Sequence, residues 1–181
     1  DVENYAILKH GLERNEYMLV QAFKEEYGVE PQPDELELIK AEMQKDFSGI
    51  TAVEAEIGKT AEEYIQEFED KAGEELTKEF WDKVREATRF SLKMQYRSGI
   101  MAKETYDDLM NRFTYYIPLR GHDQTTAEDI WDYTPDMGTY FVAPLIKAKG
   151  RKTRSRTPFA YIFNMANSAI SSSNKNLMHQ M

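Results

Sequence analysis

Apolar residues recur every three or four positions through most of this chain, the spacing of one face of an α-helix. Val2, Tyr5, Ala6, Leu12, Leu19, Val20, Phe23 and Tyr27 sketch a first helix over residues 2–27, with Gly28 as its stop. Pro31 and Pro33 break the pattern, and Leu36, Ile39 and Met43 predict a second helix from Asp34, its N-cap candidate, to about Phe47. Two Thr-x-x-Glu capping boxes follow, at Thr51/Glu54 and Thr60/Glu63. The second opens a helix through Tyr64, Ile65 and Phe68 that pauses at Gly73.

The most regular stripe lies between Glu74 and Arg97 and includes Leu76, Phe80, Trp81, Val84, Ala87, Thr88 or Ser91, Leu92 and Tyr96. It predicts a helix at the centre of the core, ended by Ser98-Gly99. A short helix from Glu104 to Phe113, through Tyr106, Leu109 and Met110, then folds back on it. Another capping box, Thr125/Glu128, opens a short helix through Ile130, Trp131 and Tyr133. From Thr134 to Thr157 the pattern dissolves. The apolar run of Phe141, Val142, Leu145 and Ile146 has no partner strand in the chain and reads as loop or edge. Thr157-Pro158 has the N-cap and N1 signature, and Phe159, Ile162, Phe163, Ala166, Ala169 and Ile170 form a last helix that loses its polarity pattern at Ser171-Ser172-Ser173.

The expected fold is therefore all-α, an irregular bundle of about six or seven helices with a long loop before the C-terminal helix. The 181 residues suit a single domain, with a helical body over 1–133, an irregular basic loop over 134–157 and the C-terminal helix over 158–181. With 41% hydrophobic and 12% aromatic residues there is material for a core. No run of about 18 apolar residues would span a bilayer, and the chain contains no charged start followed by an apolar stretch of the signal-peptide kind, although a targeting signal could lie outside this segment. Without cysteine there is no disulfide and no thiolate metal site, which fits a cytoplasmic setting. The start at Asp1 and the amphipathic end at Met181 read as the limits of a segment of something larger.

Charge is distributed unevenly. Seven of the 23 basic residues lie at or beyond Lys147 with no acid among them, leaving 16 basic against 32 acidic residues in 1–146, a net of −16. Within that basic end, Lys147, Lys149, Arg151, Lys152, Arg154 and Arg156 are spaced by Gly, Ser and Thr. Such a stretch suits phosphate contacts with little base specificity, or docking on the acidic body.

Chemistry-bearing pairs are sparse. His10 and Glu13 lie one helical turn apart, the start of a metal site without a matching second pair. His122-Asp123 could act as a His-carboxylate base, but no Gly-x-Ser-x-Gly, Walker or dinucleotide motif gives it a substrate. Tyr115-Tyr116-Ile117-Pro118-Leu119-Arg120-Gly121 reads as a helix exit that runs extended. In it Tyr115, Tyr116, Arg120 and His122 are either a structural corner or a ligand site. No catalytic residue, metal or cofactor is assigned.

Three runs, YAILKHGLERN (5–15), FWDKVREATRFSLKMQYRSGIMAKETYDDLMNRFTYYIPLRGHD (80–123) and KAKGRKTRSRTPFAYIFNMANSAISSSNKN (147–176), carry a resemblance. They resemble a helical segment of the very large polyvalent proteins encoded by phages and conjugative elements of Bacteroides-type bacteria. The resemblance implies a module among others, nucleic-acid methylase, helicase, protease and ADP-ribosyltransferase-like domains, in a protein that travels with invading DNA. No site residue is carried over from it, and Arg154 and Arg156 depart from the more acidic stretch that follows KAKGR in the family. The expected function is a non-catalytic structural or interaction module of a mobile-element protein, its partners other domains of that protein or a separate protein. A nucleic-acid-binding module using 147–156 is the alternative, and part of an enzyme completed by further sequence is the third.

Overall fold

A computed structural model describes residues 1–42, 46–119, 154 and 157–180. Seven α-helices make up the described residues: α1 (Val2–Tyr27), α2 (Pro33–Glu42), α3 (Ile50–Ile57), α4 (Ala61–Ala72), α5 (Glu74–Arg97), α6 (Lys103–Asn111) and α7 (Pro158–Gln180). The bundle is all-α, as its periodicity predicts. The expected helix at 125–133, the apolar run 141–146, and Arg120, Gly121, His122 and Asp123 lie outside the described residues.

The first third of α1, not α5, is the centre of the core. Tyr5, Ala6, Ile7 and Leu8 are all fully buried. Four successive residues sweep about 300° around a helix axis, so this part of α1 is enclosed on every side. Ile50 and Val53 of α3, Ala61 and Ile65 of α4, Trp81 and Val84 of α5, Ile162 of α7 and the extended Ile117 complete the cluster. Two ends of the predicted stripes fall outside it: Leu76 and Tyr27 are largely exposed.

Local signals fix most boundaries. Asp1 Oδ1 accepts from the Glu3 N–H at 2.8 Å, and Gly28, at φ 75°, closes α1. Thr60 and Glu63 form the reciprocal capping box of α4. Asp34 is not the cap of α2, which starts at Pro33; Glu35 reaches back to accept from the Gln32 N–H at 2.8 Å. Thr51 is not the cap of α3 either. Gly49 occupies that position, and Asp46 accepts from the N–H groups of Ser48, Gly49 and Thr51 and from the Thr51 hydroxyl.

The course of the chain along α5 organises the rest. Tyr106 of α6 stacks on Tyr96 at 4.9 Å, Thr114 O accepts from Arg85 at 3.3 Å, and Tyr115 meets Trp81 at 5.0 Å. Residues 106–115 thus return antiparallel along α5. Helix α7 then runs parallel to α5, from Phe159 against Phe80 (6.0 Å) to Ser173 against Ser98 (3.0 Å). The serines expected to end its pattern are instead its packing surface: Ser172 and Ser173 are buried, and Ser173 donates to Met94 O at 3.0 Å. Small hydroxyl side chains that bond a neighbouring helix allow close approach of the two axes.

Candidate functional site

Two polar centres lie where α1 meets the returning segment. In the first, the Trp81 indole N–H donates to Tyr5 Oη at 2.9 Å, and the Tyr5 hydroxyl donates to Glu69 Oε1 at 2.8 Å. Lys9 donates to the same oxygen at 2.7 Å and sits 5.0 Å from the Tyr115 ring centroid. Burial, with Glu69 beside it, pushes the Tyr5 hydroxyl well above the usual phenol range. Burial works against the Glu69 charge, but Lys9 and Tyr5 outweigh it and hold the carboxyl below its ordinary value. The network thus holds an anion and a cation already matched to each other.

The second centre is the predicted His10–Glu13 pair. Glu13 points at the returning chain: its two oxygens accept from the N–H groups of Thr114 (2.5 Å) and Tyr115 (2.9 Å). Burial opposes its charge, yet the bonds from these N–H groups prevail, so its carboxyl sits below the usual range. His10 is 1% exposed, with Phe113 and Tyr116 edge-on at 5.0 and 5.4 Å. Its Nδ1 is 4.0 Å from Glu13, too long for a hydrogen bond, and no partner for it exists among the described residues. Burial pushes the His10 pKa down, so the ring is neutral near pH 7.

The described part of the helix exit, residues 115–119, packs against the body. Tyr115 and Tyr116 pack on Trp81 and His10, and Ile117 is fully buried. Arg120 and His122 lie outside the described residues, as do Lys147, Lys149, Arg151, Lys152 and Arg156 of the basic stretch. Arg154 is described: its guanidinium contacts both Glu56 oxygens at 2.7–2.8 Å and donates to Asn4 Oδ1 at 2.7 Å. One cation of the basic stretch is therefore seated on the acidic body. Nothing in the sequence pattern points to Asn4 or Glu56 as its seat, because both sit in helices far from residue 154.

Chemically, the centres bind the fold to itself. A cleft over Trp81, Arg85, Thr88, Met110 and Tyr116 encloses about 20 Å³, room for about one water. An open hollow of about 370 Å³ beside Tyr64, Glu67, Phe68 and Lys71 is bordered by charges paired with each other. Among the described residues no three His, Asp or Glu side chains are grouped to hold a metal ion, and no helix is long and apolar enough to cross a membrane. Comparison with family models, curated proteins and solved structures gives no match to this chain.

Proposed function

We propose that this chain is a non-catalytic interaction module, a helical segment of a larger protein of the phage or conjugative-element kind. The resemblance of its three runs suggests that setting. The observation that carries the non-catalytic reading is the commitment of its polar centres. Glu13 is used by two backbone N–H groups, and Glu69 by Lys9 and Tyr5. A general base needs a lone pair within reach of a substrate proton; these carboxylates are engaged, His10 Nδ1 is buried between Phe113 and Tyr116, and the cleft over Trp81 has room for about one water. A module of this kind works through its outer surface. The test is co-expression of the chain with the segments that flank it in its own reading frame, as separate polypeptides, followed by gel filtration. Co-elution with a flanking segment is expected; a chain that elutes alone with every flank would overturn the reading.

A further inference from the structure

The cations of the described residues are mostly paired, as Lys59 is with Glu67, Lys78 with Asp82, Lys83 with Glu86 and Lys103 with Asp107. Arg89, Lys93 and Arg97 differ. They are exposed, they follow one another at four-residue steps along α5, and none has an ion-pair partner among the described residues. In a body as acidic as this one, three unmatched cations on one helical face are a local reversal of charge.

Beside them lies an apolar stripe. On α7, Phe163 (64% exposed), Ile170 (37%) and Leu177 (46%) recur every seven residues, with exposed Asn167 and Asn174 between them. This three-and-four spacing is the seam pattern of a helix that packs on another helix. Phe90 of α5, 45% exposed, borders the same groove: it lies one turn before Met94, whose carbonyl meets Ser173 of α7. The contacts Phe80–Phe159 and Ser98–Ser173 set the register, which brings Phe90 level with about residue 167, between Phe163 and Ile170. Isolated exposed apolar side chains need no explanation, but a contiguous row beside unmatched cations does.

We propose that the outer groove between α5 and α7 is a docking site for one amphipathic helix of a partner protein, with an apolar seam and acidic flanks. The apolar row covers Phe163–Leu177, about 21 Å or four turns, so the partner contributes a helix of about that length. Its carboxylates face Lys93 and Arg97, while Arg89 lines the cleft towards Met110 and Tyr116, and its seam fills the row of Phe90, Phe163 and Ile170 and continues onto Leu177 just past the end of α5. Charge complementarity selects this occupant. A second copy joined through the same face would set cations against cations, and an anionic membrane would be repelled by the rest of the body. The inference rests on the module reading and names the surface that reading needs.

The probe is a labelled helical peptide of about 15 residues, four turns, with Leu at the seam and Glu on the flanks, titrated into the full chain by fluorescence anisotropy. A matched peptide with Lys for Glu, and vesicles with and without phosphatidylserine, serve as rivals. Salt-sensitive binding of the Glu peptide is expected, about tenfold or more tighter than the Lys peptide. Lys93→Glu/Arg97→Glu should weaken it about tenfold. Phe163→Ser/Ile170→Ser should abolish it, with circular dichroism and melting temperature retained because these side chains are exposed. No binding, equal binding of both peptides, preferential binding to phosphatidylserine vesicles, or a dimer that Phe163→Ser/Ile170→Ser dissolves would each overturn the proposal. Co-elution with a flanking segment despite such a result would leave the module reading intact and move its surface elsewhere.

Discussion

Glu13 joins parts of the chain that are 101 and 102 residues apart, since its two oxygens hold the Thr114 and Tyr115 N–H groups. Replacing it by alanine leaves the part-buried Tyr115 N–H and the exposed Thr114 N–H without their charged acceptor, a loss of about 1–3 kcal/mol. Urea denaturation of Glu13→Ala should show that loss as a lower midpoint, and an unchanged midpoint would refute the clamp. His10 beside it gives a pH prediction. Its folded pKa lies below the ordinary His value, so between the two the unfolded chain binds the proton and the folded chain does not. Stability therefore falls as pH drops below about 6.5. Depressed carboxylates such as Glu13, Glu69 and Asp46 act only lower, near and below about pH 4. The two windows are separable. His10→Phe, which keeps a ring between Phe113 and Tyr116, should flatten the dependence of melting temperature between about pH 6.5 and 5 and leave the acid limb in place. An unaltered slope in that window would assign it to another group.

At the scale of elements, Gly11 marks a close approach of α1 to the start of α3. A Cβ there would lie 2.8 Å from Ile50 Cγ1 and 3.3 Å from Ser48 Cβ. Alanine would gain about 1 kcal/mol of helix propensity, but Ile50 is buried and β-branched, so it has little room to turn aside. Overpacking costs about 1–3 kcal/mol, and Gly11→Ala should lower the melting temperature; a rise would mean that Ile50 yields. The contrast with Gly28, which has nothing within 4 Å, shows what the sequence can convey. A helix stop such as Gly28, or a capping box such as Thr60/Glu63, is written in neighbouring residues and can be read from them. Thr51/Glu54 has the same spelling, yet Asp46 captures Thr51 and Glu54 turns to the Ala61 N–H. Local signals compete, and which one wins is decided by the packing of α3 on α1. The serines of α7 mislead for a related reason: Ser173 reads as solvated until Met94 and Ser98 of a parallel helix are beside it. The polar centres were half legible. The spacing of His10 and Glu13 marks the pair, but its partner chain at 114–115 and the Tyr5–Trp81–Glu69 network depend on contacts between distant segments.

For the whole molecule the deciding quantity is the balance between an acidic body and a basic stretch. Residues 1–146 carry a net −16, and Arg154 is already matched to Glu56 and Asn4. A phosphate backbone that recruits Arg154 must displace that seat, and it must approach through the field of the other carboxylates. An exposed ion pair is worth at most about 1 kcal/mol, so the seat alone is a weak barrier. Repulsion from the body outweighs it, and that repulsion is strongest at low salt, where phosphate attraction is strongest too. The two effects oppose each other, and no measurable binding to duplex DNA is expected near physiological salt. Titration of the chain against a labelled duplex from about 50 to 200 mM salt tests this. A polyanion site that engages about four to six phosphates would weaken with a log–log slope of roughly −3 to −5. Such a slope, lost in Arg151→Ala/Arg154→Ala/Arg156→Ala while helicity is retained, would reverse the expectation and make the chain a nucleic-acid-binding module. Glu56→Gln sharpens the test. If the seat restrains the basic stretch, freeing Arg154 should strengthen binding at every salt concentration, whereas a chain that does not bind DNA will give no signal with or without Glu56.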